Sequence, residues 1–233
     1  MYYYPRYYDA SMLLMIPCLI IAFYAQAKVK STYAKYSAIA SSRGITGAQA
    51  AMTLLRQYGI NDVRVAMISG ALSDNYDPRK KILNLSENVY SSASLAALAV
   101  AAHETGHAVQ HHEQYLPLTI RSAIVPVVQF GSALAMPLCI MGMFFGIFFV
   151  HIGIALFAAV VLFQLVTLPV EFNASSRAIA MLESNGLITS AEVKGTKSVL
   201  DAAALTYVAA LLSGIMQLIR LWLIYGQRQS RRR

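Results

Sequence analysis

The chain has 233 residues, of which 57% are hydrophobic and only 13% charged, at a mean hydropathy of +0.52. Water-soluble domains run about 45–50% apolar and about 25% charged, so most of this chain belongs in lipid. Its net charge of +8 does not signal nucleic acid, because the cations flank apolar segments (Lys28, Lys30, Lys35; Arg228, Arg231, Arg232, Arg233), as topology-setting charges do.

Residues 10–27 form an apolar run, interrupted by Pro17, that is just long enough to span a bilayer. It ends in Ala25, Gln26 and Ala27, a pattern similar to a signal-peptidase site. The tyrosines ahead of it suit the membrane interface and favour a retained anchor. Residues 28–121 read as a soluble unit. Thr46 and Gln49 frame a capping box, and the helix it opens should stop near Gly59. Residues 62–68 and 81–85 alternate like strands around a loop dense in turn formers. An Ala- and Leu-rich helix is expected from Ser92 to about His112.

Residues 122–170 are nearly free of charge and long enough for two crossings, with the turn expected near His151. Gly142 and Gly146 form a GxxxG spacing, read as helix packing. Residues 171–202 return to polar character, with a second capping box at Thr189 and Glu192, and residues 203–226 form a final span before a basic tail. Thirteen basic residues lie in segments 28–121 and 171–202, against Arg6 and the four tail arginines on the other side. That balance places the shared side in the cytoplasm.

The chemistry is concentrated in His103-Glu104-Thr105-Gly106-His107. Side chains four apart share one helical face, so both imidazoles can reach one tetrahedral zinc, while Glu104 is turned off that axis and is free to act as a base. The structural alternative is a helix with two incidental histidines. It would bury three polar groups among alanines, at about 1–3 kcal/mol each if unpaired. Cys18 and Cys139 sit in apolar segments and suit packing, so a metal here must be held by His and carboxylate. Three residues compete to be the third ligand. Glu113 lies ten residues after His103, but the glycine such a turn needs is replaced by Gln110; His111 continues the same straight helix; Glu171 opens the second polar segment. Glu171 is favoured, because an even number of crossings lets it face the side of His107.

Four stretches carry a family resemblance: residues 70–79 (GALSDNYDPR), 101–108 (AAHETGHA), 168–175 (LPVEFNAS) and 204–209 (ALTYVA). Through them nearly the whole chain resembles the YugP-like neutral zinc metallopeptidases of bacterial membranes. The resemblance implies a gluzincin-type site, with His103, His107 and Glu171 on Zn2+ and Glu104 as general base. Tyr76, His112, Arg177 and Tyr207 are candidate donors to the oxyanion or the substrate, although packing or surface solvation is the commoner role for each.

The expectation is a mainly α, multi-span helical membrane protein of about four spans, with a zincin-like metallopeptidase core and a small β element. Its segments are an anchor (1–27), a catalytic segment with the HExxH helix (28–121), a transmembrane hairpin (122–170), a second catalytic segment with the third ligand (171–202), a C-terminal span (203–226) and a basic tail (227–233). The partners are the lipid bilayer and a protein or peptide substrate, with membrane proteins among the candidates, and the substrate is expected to pair with strand 62–68 or 81–85. The rival readings are a metal-binding membrane scaffold without catalysis, which would not need Glu104, and a small transporter, which would carry ionisable groups inside its spans.

Overall fold

A computed structural model describes residues 11–230. The tyrosine-rich start and Arg231 to Arg233 lie outside the described residues. The order is α1 (Met15–Ser37), α2 (Gly47–Gln57), β1 (Arg64–Ile68), β2 (Asn75–Asp77), β3 (Ile82–Ser86), α3 (Glu87–Tyr90), α4 (Leu95–His112), α5 (Leu116–Phe145), α6 (Ile147–Ser184) and α7 (Ser190–Ser230). The protein is mainly helical, and among the described residues four helices are long and apolar enough to cross a membrane: α1, α5, α6 and α7. Residues 11–13 are also helical, and the interruption at Leu14 fits Pro17, which has no N–H to offer the carbonyl of Leu13.

The chain divides into two compact units. One comprises the chain up to Ala25, Ile120–Leu168 and the chain from Thr206 on. Its helices expose Phe23, Phe130 and Trp222 at 73%, 73% and 66%. Apolar surface of that extent is unfavourable in water and neutral in hydrocarbon. Within this unit Cys139, Val150 and Leu221 pack together, and both cysteines of the chain are buried.

The turn between α5 and α6 falls at Gly146, not near His151. Gly146 has φ +115, a conformation that L side chains rarely adopt, whereas His151 sits inside α6. Gly146 is therefore the break between two helices rather than part of a packing stripe. Gly142 does pack closely, since a Cβ there would run into Val150 Cγ2.

The second unit comprises Gln26–Thr119 and Pro169–Leu205. Thr46 caps α2 through its side chain, and Gln49 returns the bond to the Thr46 N–H. The expected loop between two strands holds a third one. The sheet order is β1-β3-β2, with β1 parallel and β2 antiparallel to β3. Tyr76 stands opposite Leu83, and the Asn84 amide donates to Asn75 Oδ1 across the ladder. β3 is thus paired on both edges, so residues 81–85 cannot receive an added strand. Among the described strands the open edges belong to β1 and β2.

The core of this unit gathers Leu54 of α2, Leu83 and Leu85 of β3, Val89 of α3, Leu98 of α4 and Met181 and Leu182 of α6. The polar segment 171–202 is not a separate piece of chain. Its first half continues α6, which at about 1.5 Å per residue is longer than the roughly 30 Å hydrocarbon layer, and its second half begins α7.

Candidate metal centre

Helix α4 starts where Ser94 accepts a hydrogen bond from the Ala97 N–H, and it is built largely from alanine. Ala96, Ala97, Ala99, Ala101 and Ala102 are fully buried, so the helix is sheathed by its neighbours. Thr105 is also fully buried, and its hydroxyl is satisfied by donating to Ala101 O at 2.8 Å. This is the setting into which His103, Glu104 and His107 project.

Helix α6 passes close to α4 at Gly106. A Cβ on Gly106 would lie 2.9 Å from the Ala174 carbonyl oxygen, so only glycine permits this approach. The contact brings Glu171 to the histidines. Glu171 Oε2 lies 3.3 Å from His103 Nε2 and 3.6 Å from His107 Nε2. One ligand atom from each of the three residues lies within 4.8 Å of the others.

These residues suit zinc. With Zn–N and Zn–O bonds of about 2.0–2.2 Å, neighbouring corners of a tetrahedron are about 3.4 Å apart, close to the two distances that Glu171 makes. The donor set of two imidazoles and one carboxylate leaves a fourth position open, the pattern of catalytic rather than structural zinc. Glu171 is only 2% exposed, and a buried carboxylate needs compensation of this kind.

The other ring nitrogens are held by α4 and α6. His107 Nδ1 lies 3.0 Å from Gln110 Oε1, and His103 Nδ1 lies 3.2 Å from the Ser175 hydroxyl. Burial disfavours the charged form of His107, but the hydrogen bond to Glu171 and the charges of Glu104 and Glu171 outweigh it, so its pKa is raised. Burial raises the Glu104 pKa above the ordinary carboxylate value; charge on His103 and His107 opposes the rise, and Glu171 adds to it. A carboxylate of raised pKa is a stronger proton acceptor than a solvated one.

The remaining candidates are engaged elsewhere. Tyr76 OH lies 2.9 Å from His111 Nδ1, which ties β2 to α4 and occupies His111. Burial, followed by the charges of Asp62 and Asp77, pushes the Tyr76 pKa up to about 12. Arg177 donates to Glu113 Oε2 at 2.6 Å and to Asn173 Oδ1 at 2.7 Å, so Glu113 is committed to an ion pair. His112 is exposed at the end of α4, and Tyr207 belongs to the other unit, where it is 37% exposed. Gln110 and Asn173 also belong to the site, a part that the motif alone does not assign to them. Their signal was spacing: Gln110 is three residues after His107, and Asn173 two after Glu171.

The family model described as "Putative neutral zinc metallopeptidase" matches residues 11–226. The chain is 48% identical over 213 residues to the "Putative membrane protease YugP" of Bacillus subtilis (strain 168), a match covering 91% of this chain and 95% of that relative. No solved structure matches it.

Proposed function

Because the chain belongs to the neutral zinc metallopeptidase family, and because its two motif histidines meet a buried carboxylate from a distant helix, we propose that it is a membrane-embedded zinc-dependent endopeptidase. The observation that carries this reading is the convergence of His103, His107 and Glu171. His103 and His107 would hold zinc through Nε2 and Glu171 through its carboxylate. When bound, zinc polarises the scissile carbonyl and lowers the pKa of a water toward about 7. Glu104 takes the proton of the attacking water and delivers it to the leaving amine, so that one carboxylate serves as base and then as acid.

The core is read as zincin-like: α4 carries the motif against β2 and β3, and α6 brings the third ligand. An extended peptide substrate would add to the open edge of β2, whose Tyr76 already reaches α4 through His111. The side shared by residues 28–121 and 171–202 is assigned to the bacterial cytoplasm from its excess of Lys and Arg. A C-terminal reporter active only in the cytoplasm would contradict that topology.

The test contrasts the two carboxylates. Glu104→Gln should retain zinc near one per chain while chelator-sensitive peptide cleavage falls to background. Glu171→Gln should lose both, since metal affinity depends on the complete ligand set. Glu113→Gln and His111→Ala are controls that keep zinc. A Glu171→Gln protein that keeps its metal while Glu113→Gln loses it would refute the ligand assignment.

A further inference from the structure

Gln110 is fully buried on α4, one turn after His107. Its Oε1 lies 3.0 Å from His107 Nδ1, and its Nε2 lies 2.9 Å from both the Val170 carbonyl and Asn173 Oδ1. A backbone carbonyl only accepts, so the amide edge facing Val170 must be the N–H edge. The Asn173 oxygen is fixed separately by Arg177 Nε, which only donates. Two independent anchors on α6 therefore set which way the Gln110 amide points.

That orientation decides the state of His107. The amide oxygen of Gln110 only accepts, so Nδ1 of His107 must carry the hydrogen. The lone pair of a neutral His107 is then on Nε2, directed at the Glu171 carboxylate 3.6 Å away. Two acceptors facing each other in a buried site repel unless a cation lies between them. The same amide binds Val170, the residue just before Glu171, and so ties the turn of α6 that carries one ligand to the turn of α4 that carries another.

We propose that Gln110 is a positioning residue for the metal centre, selecting the Nδ1–H form of His107 and holding the Glu171 turn of α6 in place. The inference rests on the metallopeptidase reading and extends it to a residue that touches neither substrate nor metal. Groups that orient a ligand histidine are worth about 10–100-fold in metal affinity.

The experiment measures zinc dissociation by competition with a chromophoric chelator, on detergent-purified full-length protein, with the thermal unfolding of the metal-free form alongside. Gln110→Met fills the same space without polar atoms and should bind zinc about 10–100-fold more weakly. Gln110→Glu keeps an acceptor for His107 but loses the N–H edge that holds Val170 and Asn173, so it too should bind zinc more weakly than wild type. Equal affinity of Gln110→Met and wild type overturns the proposal. If Gln110→Met fails to fold, nitrogen NMR of imidazole-labelled, zinc-loaded wild type decides. Protonated Nδ1 on His107 supports the proposal, and metal on Nδ1 overturns it. A wild type that binds no zinc overturns the metallopeptidase reading itself, and this inference with it.

Discussion

Gly106→Ala places one methyl group between the two helices that carry the proposed metal ligands. The new Cβ would stand 2.9 Å from the Ala174 carbonyl oxygen, a backbone atom that cannot rotate away. Ordinary contact at about 3.5 Å requires α4 and α6 to separate locally by roughly half an ångström. Overpacking of this kind costs about 1–3 kcal/mol, and replacing glycine by alanine inside a helix returns about 1 kcal/mol. The net loss of stability is therefore small, at about 0–2 kcal/mol. The effect on metal should be larger, because metal–ligand distances hold to about ±0.2 Å and Glu171 lies one turn before Ala174. The expected result is a metal-free protein that unfolds near the wild-type temperature but binds zinc more than about tenfold more weakly. Chelator competition and thermal unfolding measure the two quantities separately. Gly131→Ala, whose Cβ would meet Leu156 at an ordinary 3.5 Å, is the control and should leave zinc binding unchanged. A Gly106→Ala protein that holds zinc as tightly as wild type would show that this close approach does not govern ligand spacing.

The raised pKa of His107 means that the metal-free site keeps its proton to higher pH than free imidazole, whose value is about 6.5. Protons thus compete with zinc for His107 below that raised value, so zinc affinity weakens as the pH falls; a zinc affinity that stays constant down to about pH 6.5 would contradict this. Tyr76→Phe removes the bond to His111 and should cost about 1 kcal/mol in stability without changing zinc content, read by unfolding and elemental analysis. Thr46→Ala removes the cap of α2 and should also cost about 1 kcal/mol, with zinc again unaffected; a loss of metal in either variant would tie that element to the centre more closely than the structure shows.

What the sequence determined by itself was whatever depends on neighbours within a turn or two. The spacing of His103 and His107 placed them on one helical face, and the Thr46–Gln49 pair marked the start of α2. Long uncharged stretches announced α1, α5, α6 and α7 because lipid tolerates little else. Glu171 was legible as a candidate only by weighing it against Glu113 and His111; folding removed the competition by pairing Glu113 with Arg177 and His111 with Tyr76. The break at Gly146 was missed because a positive φ at one residue leaves no mark on hydropathy, and His151 offered a polar decoy. The three residues of β2 were missed because so short a strand exists only through its pairing with β3. The close pass of α6 over Gly106, and the Gln110 amide that joins Val170 and Asn173 to His107, are contacts across 60 or more residues of chain. No local pattern encodes such contacts, because their energy is realised only when two helices already lie side by side.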